Sequence, residues 1–150
     1  PTPLILLDID HFKQVNDSYG HDQGDEVIAA VSACISETLD MVAPDALAAR
    51  WGGEEFIIAL PGCHRPDGKT DAADIAETLR SAVAKLTHQD WPARLRVTGS
   101  LGVAHGPASA FSATFKRADS AMYAAKERGR NRVVCADDGG GKASRLANAA

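Results

Sequence analysis

The chain has 150 residues, of which 45% are hydrophobic and 24% charged, the profile of one globular domain with no room for a second. Its net charge of −4 and its scattered two Trp, two Tyr and four Phe argue against the basic, ring-studded stripe that grips nucleic acid. The longest apolar runs, such as residues 4–7, fall far short of the ~20 residues of a membrane span, and no signal peptide is recognisable, so a soluble piece is expected.

Residues 4–8 are a continuous apolar run closed by an acid, the pattern of a strand buried on both faces. Residues 10–19 read as a short helix or an ordered loop. Over 24–39, Val27, Ile28, Val31, Cys34, Ile35 and Leu39 recur at three and four, which marks an amphipathic helix. Strands over 47–51 and 56–60 flank Gly52-Gly53, a pair that tolerates the backbone of a tight hairpin turn. A loop over 61–69 precedes a helical stripe from Ala72 to Leu86, with Thr70 or Asp71 as its cap. Residues 94–104 read as a strand carrying two glycines, 113–128 as a helix stopped by Gly129, and 132–135 as a closing strand. A disordered tail is expected over 136–150. Because a hairpin cannot sit in a purely parallel sheet, this order predicts an α/β (α+β) domain over 1–135: a mixed sheet of about five strands with helices on its faces.

Cys34, Cys63 and Cys135 form no CxxC pair, which favours a reducing compartment, so the domain is expected in the cytoplasm. The chain opens on Pro1-Thr2-Pro3 with no initiator Met, as expected of a fragment of a longer protein in which membrane or sensor segments lie upstream.

Asp8 and Asp10 close the first strand, and Glu54-Glu55 sit at the hairpin turn. If the strands are neighbours, three or four carboxylates converge on one rim and repel unless a cation neutralises them; oxygen ligands of this kind suit Mg²⁺ or Mn²⁺. The alternative is a solvated strand end and an ordinary turn. Consecutive Glu54 and Glu55 point in different directions if the pleat reaches them.

The run Asp8-Ile9-Asp10-His11-Phe12-Lys13-Gln14-Val15-Asn16-Asp17, then Gly20-His21-Asp22-Gln23-Gly24-Asp25, then Arg50-Trp51-Gly52-Gly53-Glu54-Glu55-Phe56 resembles the GGDEF family of diguanylate cyclases, here in a GGEEF form. Val97-Thr98-Gly99-Ser100-Leu101-Gly102-Val103 and the run from Ala118 to Asn131 resemble its late motifs, so the likeness covers roughly residues 4–135. It implies a palm-like βαββαβ core, similar to nucleotidyl cyclases and polymerase palms, that condenses two GTP into cyclic di-GMP and two pyrophosphates with two Mg²⁺ or Mn²⁺ ions per half-site. By the same resemblance Asp8, the Ile9 carbonyl, Glu54 and Glu55 hold metal, and Glu54 is the base for the ribose 3′-hydroxyl. Asn16 and Asp25 read guanine, Lys13 and His21 lie beside the substrate, and Gly52 and Gly53 let the backbone approach it. Lys126 and Arg130, four apart, clamp the β- and γ-phosphates if Arg130 continues the helical path.

Taken alone, Asn16 reads as a cap, Asp25 as an acid at a helix start, Lys126 and Arg130 as a solvated helix end, and His21 as a surface residue; Phe12 and Tyr123 read as core. Three departures stand out. The family's DxLT segment ahead of the first strand is missing, and the product-binding RxxD is replaced by Ala43-Pro44-Asp45-Ala46. A late strand that usually carries a β-branched residue has Gly99 instead. The resemblance further implies a catalytic homodimer and an upstream sensor or regulatory domain. Its alternative is a catalytically inactive GTP-binding regulatory or dimerisation module.

Overall fold

Six consecutive buried residues, Leu4–Ile9, form β1, the middle strand of a five-stranded sheet. The structure, a computed structural model, describes residues 2–63 and 71–136. The chain continues through α1 (Phe12–Tyr19), α2 (His21–Val42), β2 (Leu47–Gly52), β3 (Glu55–Ala59), α3 (Ala72–Ala84), β4 (Gly99–Ala104), a single 3-10 turn, α4 (Phe111–Glu127) and β5 (Arg132–Cys135). The strands lie in the order β2-β3-β1-β4-β5. β1 is antiparallel to both β3 and β4, and β5 runs parallel to β4, so the sheet is mixed, as the hairpin requires.

The period-two alternation of β1 divides the core. Ile5, Leu7 and Ile9 join Val27, Val31 and Ile35 of α2 and Leu79 and Val83 of α3 on one face, while Leu4 and Leu6 meet Ala118 and Met122 of α4 on the other. Asp8 has the parity of Leu4 and Leu6, which places it on the α4 face. Gly102 of β4 lets α4 sit close: a Cβ there would stand 2.1 Å from the Ala118 carbonyl oxygen and 2.3 Å from the Met122 nitrogen. At Gly99 a Cβ would meet only side-chain carbons of Leu7, at 3.4 to 3.6 Å.

The structure corrects several sequence expectations. Of residues 10–19, read as a short helix or an ordered loop, Phe12–Tyr19 form the helix α1, and α2 begins earlier and ends later than its apolar stripe. Only Gly99–Ala104 of the strand expected over 94–104 joins the sheet, because the neighbouring β1 ends at Ile9 and offers no further ladder. Leu95 and Val97 are nevertheless buried, so their alternation reports burial without pairing. Asp71 stands at the N-cap of α3 but makes no side-chain cap bond; its carboxylate lies 3.4 Å from His105 Nε2 instead. Thr70, residues 64–69 of the expected loop and the expected tail from 137 onward lie outside the described residues.

Candidate active site

Asp8 pairs with Glu55 across β1 and β3, and the Ile9 amide donates to the Glu54 carbonyl at 3.2 Å. The turn between β2 and β3 bends at Gly53, whose φ of 50° is the left-handed backbone that glycine adopts without strain. Arg50 Nε braces that turn by donating to the Gly53 carbonyl at 2.7 Å. A Cβ at Gly52 or Gly53 would meet nothing within 4 Å, so this backbone faces open space. Asp8, Glu54 and Glu55 thus share one rim of the sheet.

Asp8 is only 3% exposed. Burial pushes its carboxyl up from 3.8 to about 6, Lys126 opposes the rise, and the charges of Glu54 and Glu55 add to it. Lys126 Nζ, reaching down from the last turn of α4, lies 2.6 Å from Asp8 Oδ1. The contact is a charge-assisted ion pair, and the ammonium is that oxygen's partner. Among the described residues no three His, Cys, Asp or Glu side chains are gathered closely enough to hold an ion unaided. The donors nevertheless fit a hard cation that takes the rest of its oxygens from substrate or water: a buried carboxylate, countered by one ammonium and flanked by two more carboxylates.

Asp10 is not part of this rim, contrary to its place in the sequence. It lies beyond the end of β1, where Oδ1 accepts from Ser100 Oγ at 2.6 Å and Oδ2 accepts from Thr98 Oγ1 at 2.7 Å and from the Asn131 amide at 3.0 Å. A carboxylate with three donors needs no cation.

Asn16 of α1 aims Oδ1 at Gly24 of α2. The oxygen is buried with no hydrogen-bond partner among the described residues, and a Cβ on Gly24 would stand 1.9 Å from it. Asp25, the next residue, is exposed on α2, so the two expected guanine contacts sit at one seam between the helices. Lys13, one turn before Asn16 on α1, and His21, one turn before Asp25 on α2, are exposed.

The proposed phosphate clamp is built differently from expectation. α4 ends at Glu127 in a Schellman closure: the Arg130 amide donates to the Ala125 carbonyl at 3.0 Å and the Gly129 amide to the Lys126 carbonyl at 3.3 Å. Arg130 therefore leaves the helical path, with φ 65°, and does not share a helix face with Lys126. Phe12 packs against the core, but Tyr123 is 63% exposed because its side of α4 faces away from the sheet. Spacing gave no signal for Arg80 of α3 or Asn131, which the fold joins to each other and, through the Asn131 amide, to Asp10.

No helix among the described residues is long and apolar enough to cross a membrane. The family profile described as "Diguanylate cyclase, GGDEF domain" matches residues 1–132. Diguanylate cyclase DgcM of Escherichia coli K12 is 45% identical over 135 residues, which make up 89% of this chain and 30% of DgcM. The chain thus spans about a third of that relative's length. Among solved structures, diguanylate cyclase SiaD of Pseudomonas aeruginosa, in complex with its activator SiaC, superposes with a TM-score of 0.78 at 38% identity, over 90% of this chain and 50% of that one. The GGDEF domain of DgcB from Caulobacter crescentus, in complex with c-di-GMP, gives 0.74 at 36% identity, over 89% and 77%. Sequence, fold and the acidic rim at the hairpin agree, and the chain belongs to the GGDEF domain family of diguanylate cyclases.

Proposed function

We propose that this chain is the catalytic module of a diguanylate cyclase, which joins two GTP into cyclic di-GMP with release of two pyrophosphates. The observation that carries the reading is Asp8: a buried carboxylate that lies across the β1–β3 register from Glu55, beside the Gly52-Gly53-Glu54-Glu55 turn, with the Lys126 ammonium against it at 2.6 Å.

Asp8, the Ile9 carbonyl, Glu54 and Glu55 would hold two Mg²⁺ or Mn²⁺ per half-site. When bound, such ions offset phosphate charge and lower the pKa of the attacking hydroxyl. Glu54 accepts the 3′-hydroxyl proton of one GTP as its oxygen attacks the α-phosphorus of the other; the P–O bond to pyrophosphate breaks, and the second linkage forms the same way. Asp25 accepts from guanine N1–H and its exocyclic amine, a paired donor edge that adenine lacks, and Asn16 donates to O6 or N7. Lys13 and His21 flank the nucleotide, the open backbone of Gly52 and Gly53 lets it approach, and Lys126 and Arg130 take the β- and γ-phosphates. Two equivalent linkages require two half-sites face to face, hence a homodimer, and an upstream sensor or regulatory domain in the cytoplasm would control their encounter.

The test is mass spectrometry of the products after the full-length protein is mixed with GTP and Mg²⁺. Cyclic di-GMP is expected, and Glu54→Gln should lower its synthesis by orders of magnitude with the fold intact. Undiminished synthesis by that variant would overturn the assignment of Glu54, whereas nucleotide binding without product in the unaltered protein would leave a regulatory GTP-binding module.

A further inference from the structure

Between α4 and β5 the backbone takes three successive positive φ values: 120° at Gly129, 65° at Arg130 and 46° at Asn131. Two of these residues carry a Cβ, and such residues persist in the left-handed region when their surroundings over-determine it. The surroundings here come from two distant elements. At the end of β1, Asp10 Oδ2 accepts the Asn131 amide at 3.0 Å. On α3, Arg80 Nη1 donates to Asn131 Oδ1 at 2.7 Å across 51 residues of sequence.

Arg80 is itself fixed. Its Nε donates to both Glu77 carboxylate oxygens at 3.0 and 2.9 Å, and its Nη2 donates to Oε1 at 2.7 Å. Arg80 is buried, at 8% exposure, so its planar fork is held in one orientation with Nη1 left to grip Asn131. The turn is thus clamped through the Asn131 amide from one side and through its side chain from the other, and Arg130 is the residue immediately before the clamped one.

We infer that Arg80 is a positioning residue for nucleotide binding: through Asn131 it sets the turn that presents Arg130 to the β- and γ-phosphates. This rests on the reading of Arg130 given above. A rigid turn delivers the guanidinium with less ordering cost on binding, so loss of the clamp should weaken contacts to those phosphates while sparing the guanine seam, which is built from α1 and α2.

The test measures binding of a non-hydrolysable GTP analogue and of GMP, which lacks the β- and γ-phosphates, to the full-length protein by calorimetry. Arg80→Ala should weaken the analogue about five- to tenfold and leave GMP unchanged. Asn131→Gly keeps a residue suited to positive φ but deletes the acceptor, so it should act alike, and the double variant should be no weaker than either single one. Because Asn131 is exposed, that variant keeps the test open if Arg80→Ala fails to fold. Equal weakening of both ligands, or of neither, overturns the positioning role. Arg130→Ala serves as the reference. If it lowers the analogue-to-GMP preference while Asn131→Gly does not, the positioning role alone fails; if it leaves the preference unchanged, the phosphate role of Arg130 fails and the inference falls with it.

Discussion

Lys126 Nζ stands 2.6 Å from Asp8 Oδ1, an ammonium held against the carboxylate at the centre of the acidic rim. The pair follows from two local rules: β1 alternation turns Asp8 toward α4, and Lys126 lies on the last turn of that helix, where its charge also complements the helix dipole. An ammonium so placed competes with any divalent cation for the same oxygen. Replacing Lys126 by Met keeps much of the apolar stem and removes the competitor, so Mn²⁺ affinity without nucleotide should rise about tenfold, equivalent to ~1.4 kcal/mol. Electron paramagnetic titration of free Mn²⁺ is the check; an unchanged or weaker affinity would show that the ammonium does not compete.

A pH dependence follows from Asp8. Its carboxyl is raised from 3.8 to about 6 in the folded protein, chiefly by burial, so without metal the folded state binds this proton more tightly than the unfolded chain. Its contribution to stability is then full below about pH 4 and is lost as pH rises through about 6. Denaturant unfolding of the native protein and of Asp8→Asn in the presence of a chelator should show the native protein losing stability relative to the variant between pH 4 and 7. A difference that stays flat or moves the other way would contradict the burial argument.

Gly24 tests the guanine seam without touching a charged group. A methyl group there would stand 1.9 Å from Asn16 Oδ1, the far end of a side chain that can swing aside. Gly24→Ala should therefore fold, since alanine favours the helix by about 1 kcal/mol over glycine, yet it should weaken GTP binding by displacing Asn16. Calorimetric titration alongside a melting curve separates the two effects, and wild-type affinity for GTP would remove Asn16 from the site.

Gly102 carries the opposite expectation. A Cβ would meet backbone atoms of Ala118 and Met122 at 2.1 to 2.9 Å, and backbone cannot swing aside. Gly102→Ala should push α4 off the sheet and cost about 3 kcal/mol or more, beyond the usual range for overpacking by one methyl group. The same substitution at Gly99, where the nearest atoms are side-chain carbons of Leu7 at 3.4 Å, should cost less than about 1 kcal/mol. Paired denaturant midpoints decide the matter.

Much of this molecule follows from sequence alone. The apolar run Leu4–Leu7 that opens β1, the three-and-four spacing of α2, the Gly52-Gly53 hairpin and the Gly129 stop of α4 are set by local backbone geometry, so they are visible in the order of residues. The acids at the rim were legible in the same way, as charges delivered by strand ends. What only the tertiary structure decided is which partners those charges meet. Asp8 and Asp10 look alike in sequence, but β1 ends between them, so one remains in the pleat facing Lys126 and the other leaves it to accept three bonds from β4, its approach and the turn before β5. Residues 94–98 alternate like a strand but lack a ladder, because a ladder needs a neighbour that extends far enough. Arg130 lies four residues from Lys126 yet off its helix, and Arg80 reaches Asn131 across 51 positions. Local periodicity is written into the chain by its covalent geometry, whereas an element's end and a side chain's partner are fixed by neighbours far away in sequence, where no spacing rule applies.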